Sequence, residues 1–474
     1  MPVQPPAGLT IESFVVQVTG VSLTGTAGQA NVSLLPSPVT VNLSNLATSN
    51  TLLANTSAPA GTYSGITLTF ASPQLTMLNN SGTTFTDGAN SCPSSNTTTS
   101  PCTLAPALSP MSVTLTSSPF PLSLVSGTPI PMAIDFSTDS SITNTTGTLS
   151  IVPSVTVTVT STTNATTNNI ADFTNSTGEV TSTSNNQLVV TDRSTGESLA
   201  LVPTTGTTFT GFNTSATCTS ANTFPCLQTG QIVNFNFGIS GAVGSRPTLE
   251  SINLNSGITN GVNGTVVAVN PQTNQLELLV TSESPAFQSQ ASGVKVGQVV
   301  FVHPSQNAVF TAQTNGATLP AGLTFGMLGD VAVGQAVLVN STGFTAGTGG
   351  APGAVTSDSV VLGRSQFTGT ISAIDSTNQS FLMNSLDGLF VQNAITSVTV
   401  DTGTNTTFAG VSGFAGLATG NTVIVGGLLF NKPTGPVMVA NQVVMTQTGA
   451  AAVRASLHRT LLEGQRDRGG RMSL

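Results

Sequence analysis

The sequence has few of the side chains on which most enzymes and nucleic-acid-binding proteins depend. Only 6% of its 474 residues are charged, Trp is absent, Tyr occurs once and His occurs twice. Because the chain offers no basic face, we expect no binding to nucleic acid. His303 precedes a proline at a predicted strand end and His458 lies among arginines, so neither completes a Ser-His-acid or Cys-His group. We therefore predict a non-enzymatic protein with no catalytic residue, no cofactor and no bound metal.

Long apolar runs are also missing. None reaches the ~18 residues of a membrane helix, so no transmembrane segment is expected. The start MPVQPPAGLT has neither the basic region nor the apolar core of a signal peptide. If the protein is secreted, its leader has been removed or lies outside this sequence. Residues 1–450 carry a net charge of −11 from five basic and sixteen acidic residues, whereas the remainder carries +3.

The four cysteines form two pairs that are close in sequence, Cys92 with Cys102 and Cys218 with Cys226. Neither pair has C-x-x-C spacing and no histidine lies nearby, which argues against zinc or a redox dithiol. We predict two local disulfides, each worth about 2–3 kcal/mol. The alternative is four buried free thiols. Disulfides imply an oxidising compartment, so we expect the protein to be extracellular or on the cell surface.

Apolar residues recur at every second position through most of the chain, which predicts an all-β fold. VTVNLSNL (39–46) and SVTVTVTST (154–162) are clear examples. Short strands separated by turn signals favour a two-sheet antiparallel sandwich for the first unit. The tail has only a weak helical stripe of Leu457, Leu461 and Leu462.

Three later units repeat one pattern. Each begins with a G-x-[VI] strand, a polar turn and a second alternating strand, as in FTGTISAIDSTNQSFLM from Phe367. Each then has an apolar-x-Gly-[Gln/Asn] turn in which glycine suits a positive φ, with the glycines at 230, 297, 334 and 420. We predict small β-barrel or β-sandwich repeats in a beads-on-a-string arrangement. The predicted units are an N-terminal sandwich (1–162), three β repeats (163–256, 257–364 and 365–448) and a basic tail, disordered or a short helix (449–474).

Two resemblances follow from these motifs. The PAGTY segment ending at Tyr63 and the IDF strand at 134–136 resemble an uncharacterised domain of secreted proteins and lipoproteins from acidobacteria and other bacteria. The G-x-[VI] strands, the TTF segments at 207–209 and 406–408 and the Gly-[Gln/Asn] turns resemble a second uncharacterised bacterial β-domain family. Neither resemblance implies a catalytic residue. Lipoprotein members begin with an acylated cysteine, and no cysteine lies near Met1 here.

A few polar groups are the places where chemistry would be sought. These are two acid pairs for a glycosidase, Glu277 with Glu283 and Asp135 with Asp139, and one polar turn for calcium, Asp375, Asn378 and Gln379. We interpret them as solvated charges and ordinary turns.

The favoured hypothesis is a non-enzymatic extracellular structural or adhesive protein. Its partner would be a second copy of itself, in a homo-oligomer or pilus-like filament formed by β-strand addition, with the segment up to Leu23 as the donor. The second hypothesis is a protein that binds an envelope polysaccharide, which requires exposed Phe side chains on one sheet face. The third, a glycoside hydrolase, requires two acids within about 10 Å in a cleft.

Overall fold

The computed structural model describes residues 9–43, 51–79, 81–94, 101–126, 130–159, 169–184, 187–192, 198–210, 226–240, 246–254, 260–314, 319–347, 352–386, 388–445 and 454–461. Strands form nearly all of the regular structure, so the predicted all-β fold of sheets and small barrels along the chain is confirmed. Within these ranges no helix is both long and apolar enough to cross a membrane.

The first unit is a sandwich with one long antiparallel strand pair. Its described elements are β1 (Leu9–Gly25), β2 (Val32–Ser33), β3 (Val39–Asn42), β4 (Thr51–Thr56), β5 (Gly61–Asn79), β6 (Phe85–Thr86), β7 (Ser91–Cys92), β8 (Cys102–Leu104), β9 (Ala107–Leu108), β10 (Ser112–Leu115), β11 (Leu122–Leu124), β12 (Ile130–Ser137), α1 (Thr138–Ser141), β13 (Ile142–Thr145), β14 (Thr148–Ile151) and β15 (Val155–Val159).

Strand β1 lies in the interior of this unit. It pairs with β5 along its whole length at the centre of a seven-stranded sheet. Its alternating side chains Val16 and Val18 are fully buried. Phe136 of β12, on the facing sheet, packs edge-to-face against Phe14 and Phe70 with ring centroids 5.7 and 5.5 Å away. Donating the N-terminal segment to another copy would therefore unfold this core.

The three later units are five-stranded barrels. The first contains β16 (Asn169–Ser184), β17 (Gln187–Asp192), β18 (Ser198–Thr210), β19 (Ile232–Ser240) and β20 (Thr248–Leu254). The second contains β21 (Gly261–Asn270), β22 (Gln275–Glu283), α2 (Pro285–Gln290), β23 (Val299–Ala312), a 3-10 turn (Leu328–Asp330), β24 (Ala336–Thr345) and β25 (Ala354–Leu362). The third contains β26 (Ser365–Asp375), β27 (Ser380–Asn384), α3 (Gly388–Gln392), β28 (Val398–Ala409), a 3-10 turn (Phe414–Gly416), β29 (Thr422–Phe430) and β30 (Val437–Met445).

All three barrels share one connectivity. The strands pair in the order first, second, third, fifth and fourth, and the fourth closes on the first. The third and fifth strands run parallel, and every other pair is antiparallel. This is the connectivity of the OB-fold type of Greek-key barrel. Closure leaves no unpaired sheet edge among the described strands of these units.

The tail differs from its prediction. Residues 454–461 form a strand, β31 (Arg454–Leu461), so the expected disordered or helical state is wrong for this segment. β31 lies between β12, to which it is antiparallel, and β4, to which it is parallel. An isolated helix of this length is marginal in water, whereas a strand in this slot gains hydrogen bonds on both sides. Residues 446–453 and 462–474 lie outside the described ranges.

Buried contacts join neighbouring units. Ile232 of the first barrel packs with Leu338 and Val361 of the second. The Gln335 amide of the second barrel donates a buried 2.9 Å hydrogen bond to the Leu429 carbonyl oxygen of the third. A further cluster joins the sandwich to both of the last two barrels through Leu78, Val267, Leu279, Val333 and Leu389. The units therefore follow one another along the chain and also pack against one another. The boundaries at residues 162, 256 and 364 stay a prediction.

Candidate functional site

The predicted Cys92–Cys102 disulfide is present, with the two Cα atoms 5.6 Å apart. It joins β7 to β8, and Cys102 lies opposite Met77 of β5. Cys226 is also disulfide-bonded. Cys218 lies outside the described residues.

Asp87 organises the turn beside this disulfide. Its carboxylate accepts backbone hydrogen bonds from Ala89 at 2.8 Å, Asn90 at 2.6 Å and Ala105 at 2.7 Å, and one from the Asn90 side chain at 3.0 Å. Burial raises the pKa of Asp87, but these hydrogen bonds outweigh it and leave the pKa well below its ordinary value. The carboxylate thereby joins the turn at residues 87–90 to the segment at Ala105.

The repeated Gly-[Gln/Asn] turns have a structural role. Their glycines have φ between 86° and 89°, which confirms the predicted positive φ. In each turn the side-chain oxygen of the following amide residue accepts the backbone N–H three residues earlier. The pairs are Gln231 with Gln228 (2.7 Å), Gln298 with Lys295 (3.1 Å), Gln335 with Ala332 (2.8 Å) and Asn421 with Ala418 (2.7 Å). The sequence shows that Gln or Asn follows each of these glycines, but it does not show which backbone N–H the side chain binds.

The threonines of the TTF segments also bind backbone. Thr207 accepts a hydrogen bond from the Thr204 N–H at 2.8 Å and donates one to the Leu249 carbonyl oxygen at 2.6 Å. Thr406 makes the same pair of bonds in the third barrel, at 2.9 and 2.7 Å. Both lie where the register of the parallel strand pair shifts. In the second barrel Ala308 has the matching position in the sequence.

The first candidate glycosidase pair, Glu277 and Glu283, is not brought together. Glu277 and Glu283 lie six residues apart on β22, which is about 20 Å at ~3.3 Å per residue. Catalytic carboxylates in glycosidases lie roughly 5–9.5 Å apart. Asp135 is half-buried in β12, and Asp139 lies in α1, but its side chain is outside the described part of the chain.

The candidate calcium turn is a self-contained hairpin turn. Asp375 accepts hydrogen bonds from the Asn378 side chain at 2.7 Å and from the backbone of Asn378 and Thr377. These bonds, the Asn378 side chain first, lower the pKa of Asp375. Gln379 has a φ of 51° at the end of the turn. Among the described residues, no three His, Cys, Asp or Glu side chains are grouped so that they could hold a metal ion.

The two histidines occupy strands. His303 lies inside β23, opposite Thr356, and the strand continues beyond it. The expectation that it ends a strand is therefore wrong. Pro304 is tolerated because the register of the pair shifts directly after it, so a regular ladder bond is not required there. His458 lies in β31, opposite Ala133.

No described Phe side chain is exposed, and the exposed large apolar residues are Met, Val and Leu. The aromatic platform that a sugar-stacking surface requires is therefore not found in this part of the chain. The only tyrosine, Tyr63, is fully buried. Its hydroxyl donates to the Pro59 carbonyl oxygen at 2.9 Å and accepts from the Gln29 amide at 3.1 Å.

The second sheet of the sandwich is the feature best suited to an interaction. Its order is β15-β12-β31-β4, so β15 lies at one edge. β15 reads VTVTV, with Val155 and Val157 buried and Thr156 and Thr158 exposed. It contains no charge, proline or glycine, the residues that commonly protect a sheet edge. In the described ranges β15 pairs with β12 alone.

Comparison with known proteins finds a family similar to the first part of this chain. Residues 5–188 match the model of a family described as "Domain of unknown function (DUF4382)". The match covers the sandwich and extends into β16 and β17, and it is consistent with the expected uncharacterised β-domain. No curated protein matches the chain. Among solved structures, the chain is similar to drosophila Unr CSD456 at 10% identity over 58% of this chain and 98% of that one. The TM-score of 0.11 is too low to indicate a shared fold.

Proposed function

We propose that the protein is a non-enzymatic structural or adhesive protein of the cell surface or extracellular space, whose copies associate by β-strand addition. The observation that carries the proposal is β31. This strand comes from the opposite end of the chain and lies between β12 and β4, with Leu457 opposite Ile134. A strand connected to its sheet from so far away can be supplied by the same chain or by a neighbouring copy.

The use of the polar side chains supports a structural role. Asp87, the amides after the turn glycines and the TTF threonines all bind backbone groups within their own unit. Side chains with these bonds stabilise turns and strand pairs. The disulfide agrees with an oxidising compartment and hence with a location outside the cytoplasm.

A truncation tests strand addition. The oxidised full chain and a variant ending at residue 448 are compared by light scattering on a sizing column and by negative-stain electron microscopy. We expect the full chain to form species larger than its 47.6 kDa monomer. The truncated chain lacks β31 and should not form the species in which β31 joins two copies. The truncated chain should also bind a synthetic peptide of residues 450–463.

The matched control is the same peptide with Leu457→Pro. Proline lacks the N–H that a strand between two neighbours needs, so this peptide should not bind. A full chain that stays monomeric at every concentration contradicts the proposal, whether or not the truncated chain binds the unmodified peptide.

Binding of an envelope polysaccharide is a second candidate, which the barrel connectivity favours. In OB-type barrels the face of the second and third strands and the adjoining loops bind oligonucleotides or oligosaccharides. In the third barrel this face includes Leu382, which is 37% exposed, and Asp401 near Lys432. Fold analogy alone supports this second candidate. Saturable retardation in polysaccharide affinity gels that Leu382→Ala weakens would favour it over assembly.

A further inference from the structure

We propose that β15 is a self-complementary edge and pairs antiparallel with β15 of a second copy of this chain. The inference rests on the proposed function and deepens it, because it names the edge and the partner. Each copy would contribute one four-stranded sheet, and the pair would form a single sheet that continues across a two-fold axis.

The backbone of β15 presents hydrogen-bonding groups toward the outside of the sheet. The N–H of Ser137 in β12 donates to the carbonyl oxygen of Ser154 at 2.9 Å. Antiparallel bonding alternates along a strand, and the register continues through Asp135 opposite Thr156. Thr156 and Thr158 therefore direct their N–H and C=O groups toward β12. The backbone groups of Val155, Val157 and Val159 point away from β12, toward the edge.

The sequence of the strand is a palindrome. In an antiparallel pair centred on Val157, the two Val157 residues face each other, Thr156 faces Thr158, and Val155 faces Val159. The outward-directed residues of one copy thus meet the outward-directed residues of the other. Each opposed pair of valines can exchange two backbone hydrogen bonds in this register.

The side chains match in the same register. Val155 and Val157 face the sandwich core, so the apolar face of the sheet in one copy would continue into the apolar face of the other. Thr156 and Thr158 are exposed on the opposite face, where Thr–Thr pairs across strands are favourable. No charged side chain lies in the strand to oppose its equivalent.

Self-complementarity favours a second copy over any other occupant. A two-fold interface requires that the same patch serve both partners, and a palindromic edge meets that requirement without further adjustment. At the other edge of the sheet, β4 reads TLLANT, which does not match its own reverse. The described strands of the three barrels form closed sheets, which offer no edge to pair.

Register-specific crosslinking tests the pairing. The full chain is prepared as Thr156→Cys and, separately, as Thr158→Cys, and each is oxidised mildly alone and after mixing. Opposite residues at non-hydrogen-bonded positions have Cα atoms about 4.5 Å apart, within the range of a disulfide. We expect a covalent dimer in the mixture and little in either variant alone, because a residue and its own copy lie diagonally apart. Crosslinking that is equal in all three samples overturns the proposed register.

A charge variant tests the edge independently. Thr156→Lys with Thr158→Lys places like charges opposite each other across the two-fold axis and should weaken dimerisation roughly tenfold or more. The control is Thr40→Lys, at an exposed position of β3, which pairs with β1 in the first sheet. Both variants should keep the circular dichroism spectrum of the parent chain.

The outcomes separate this inference from the proposed function. If the full chain associates and the double lysine variant associates equally well, β15 is not the interface, although strand addition elsewhere still holds. If the full chain stays monomeric at every concentration, both fail. Dimers that persist in the chain ending at residue 448 but vanish in the lysine variant identify β15 as the interface.

Discussion

The Thr76 hydroxyl of the sandwich donates a buried 2.6 Å hydrogen bond to the Gly297 carbonyl oxygen of the second barrel. Thr76 is 1% exposed. We expect Thr76→Val to lower the free energy of unfolding by about 1–3 kcal/mol, because it leaves a buried carbonyl oxygen without this donor. Urea unfolding followed by Tyr63 fluorescence measures the sandwich, since the chain has no other tyrosine and no tryptophan.

The control for this prediction is Thr67→Val on the same strand. The Thr67 hydroxyl forms a hydrogen bond with the Thr114 hydroxyl in an exposed setting, at 2.9 Å. Its loss should cost little because water can replace the bond. Equal effects of the two substitutions would show that the contact between sandwich and barrel is not worth more than a surface hydrogen bond.

Gly334 and Gly420 form a natural pair for testing how the second and third barrels pack. Their φ values are 86° and 87°, so alanine at either position costs about 1–2 kcal/mol of backbone strain. A Cβ at Gly334 would also collide with the Phe390 ring of the third barrel, whereas one at Gly420 meets open space. We expect Gly334→Ala to destabilise by about 1–3 kcal/mol more than Gly420→Ala in thermal or urea unfolding. Similar losses would mean that Phe390 moves aside without cost.

Substitution of Tyr63 tests whether the PAGTY segment has a structural role. Tyr63→Phe removes a hydroxyl that is bonded to both Pro59 and Gln29. The loss of these two partly buried hydrogen bonds should lower the stability of the sandwich by about 1–3 kcal/mol, with no change in fold. Because the variant has no tyrosine, its unfolding is followed by circular dichroism. An unchanged midpoint would contradict a structural role for this motif.

The Asp87 carboxylate makes stability depend on pH. Its folded pKa lies below the unfolded value of about 3.9, so its stabilisation is fully present above that value and is lost as the pH falls through the folded pKa. At pH ~7, Asp87→Asn should destabilise the sandwich by about 1 kcal/mol after allowance for solvent screening. The difference from the parent chain should shrink as the pH is lowered. Asp375→Asn, in a fully exposed hairpin turn, is the control and should change stability little.

Local features of the fold were predictable because they depend on near neighbours. Alternation alone predicts strands such as β3 and β15, and the repeated glycines predict the positive φ that all four turns have. The close spacing of Cys92 and Cys102 predicts their disulfide. In each case the residues that decide the structure lie within a few positions of one another.

Long-range pairing was not predictable from the same reasoning. Leu457, Leu461 and Leu462 suggest a helix, whereas Ala455, Leu457 and Leu461 also fit the alternation of a strand. The choice is made by β12 and β4, which are remote in sequence. The position of His303 inside β23 likewise depends on its parallel partner β25.

Contacts between units were missed for the same reason. Gln335 caps its own turn and also reaches Leu429 of the next barrel, and only the packed structure shows the second bond. A sequence signal for the first bond was present, because every glycine of the repeated turn is followed by an amide of suitable length.

We propose that copies of this chain associate by β-strand addition. The most direct measurement is light scattering on a sizing column of the oxidised full chain over a range of concentrations, with negative-stain images of each peak. We predict a concentration-dependent species of at least twice the 47.6 kDa monomer, which the double lysine variant of β15 loses. A single monodisperse peak at 47.6 kDa at every concentration would contradict the claim.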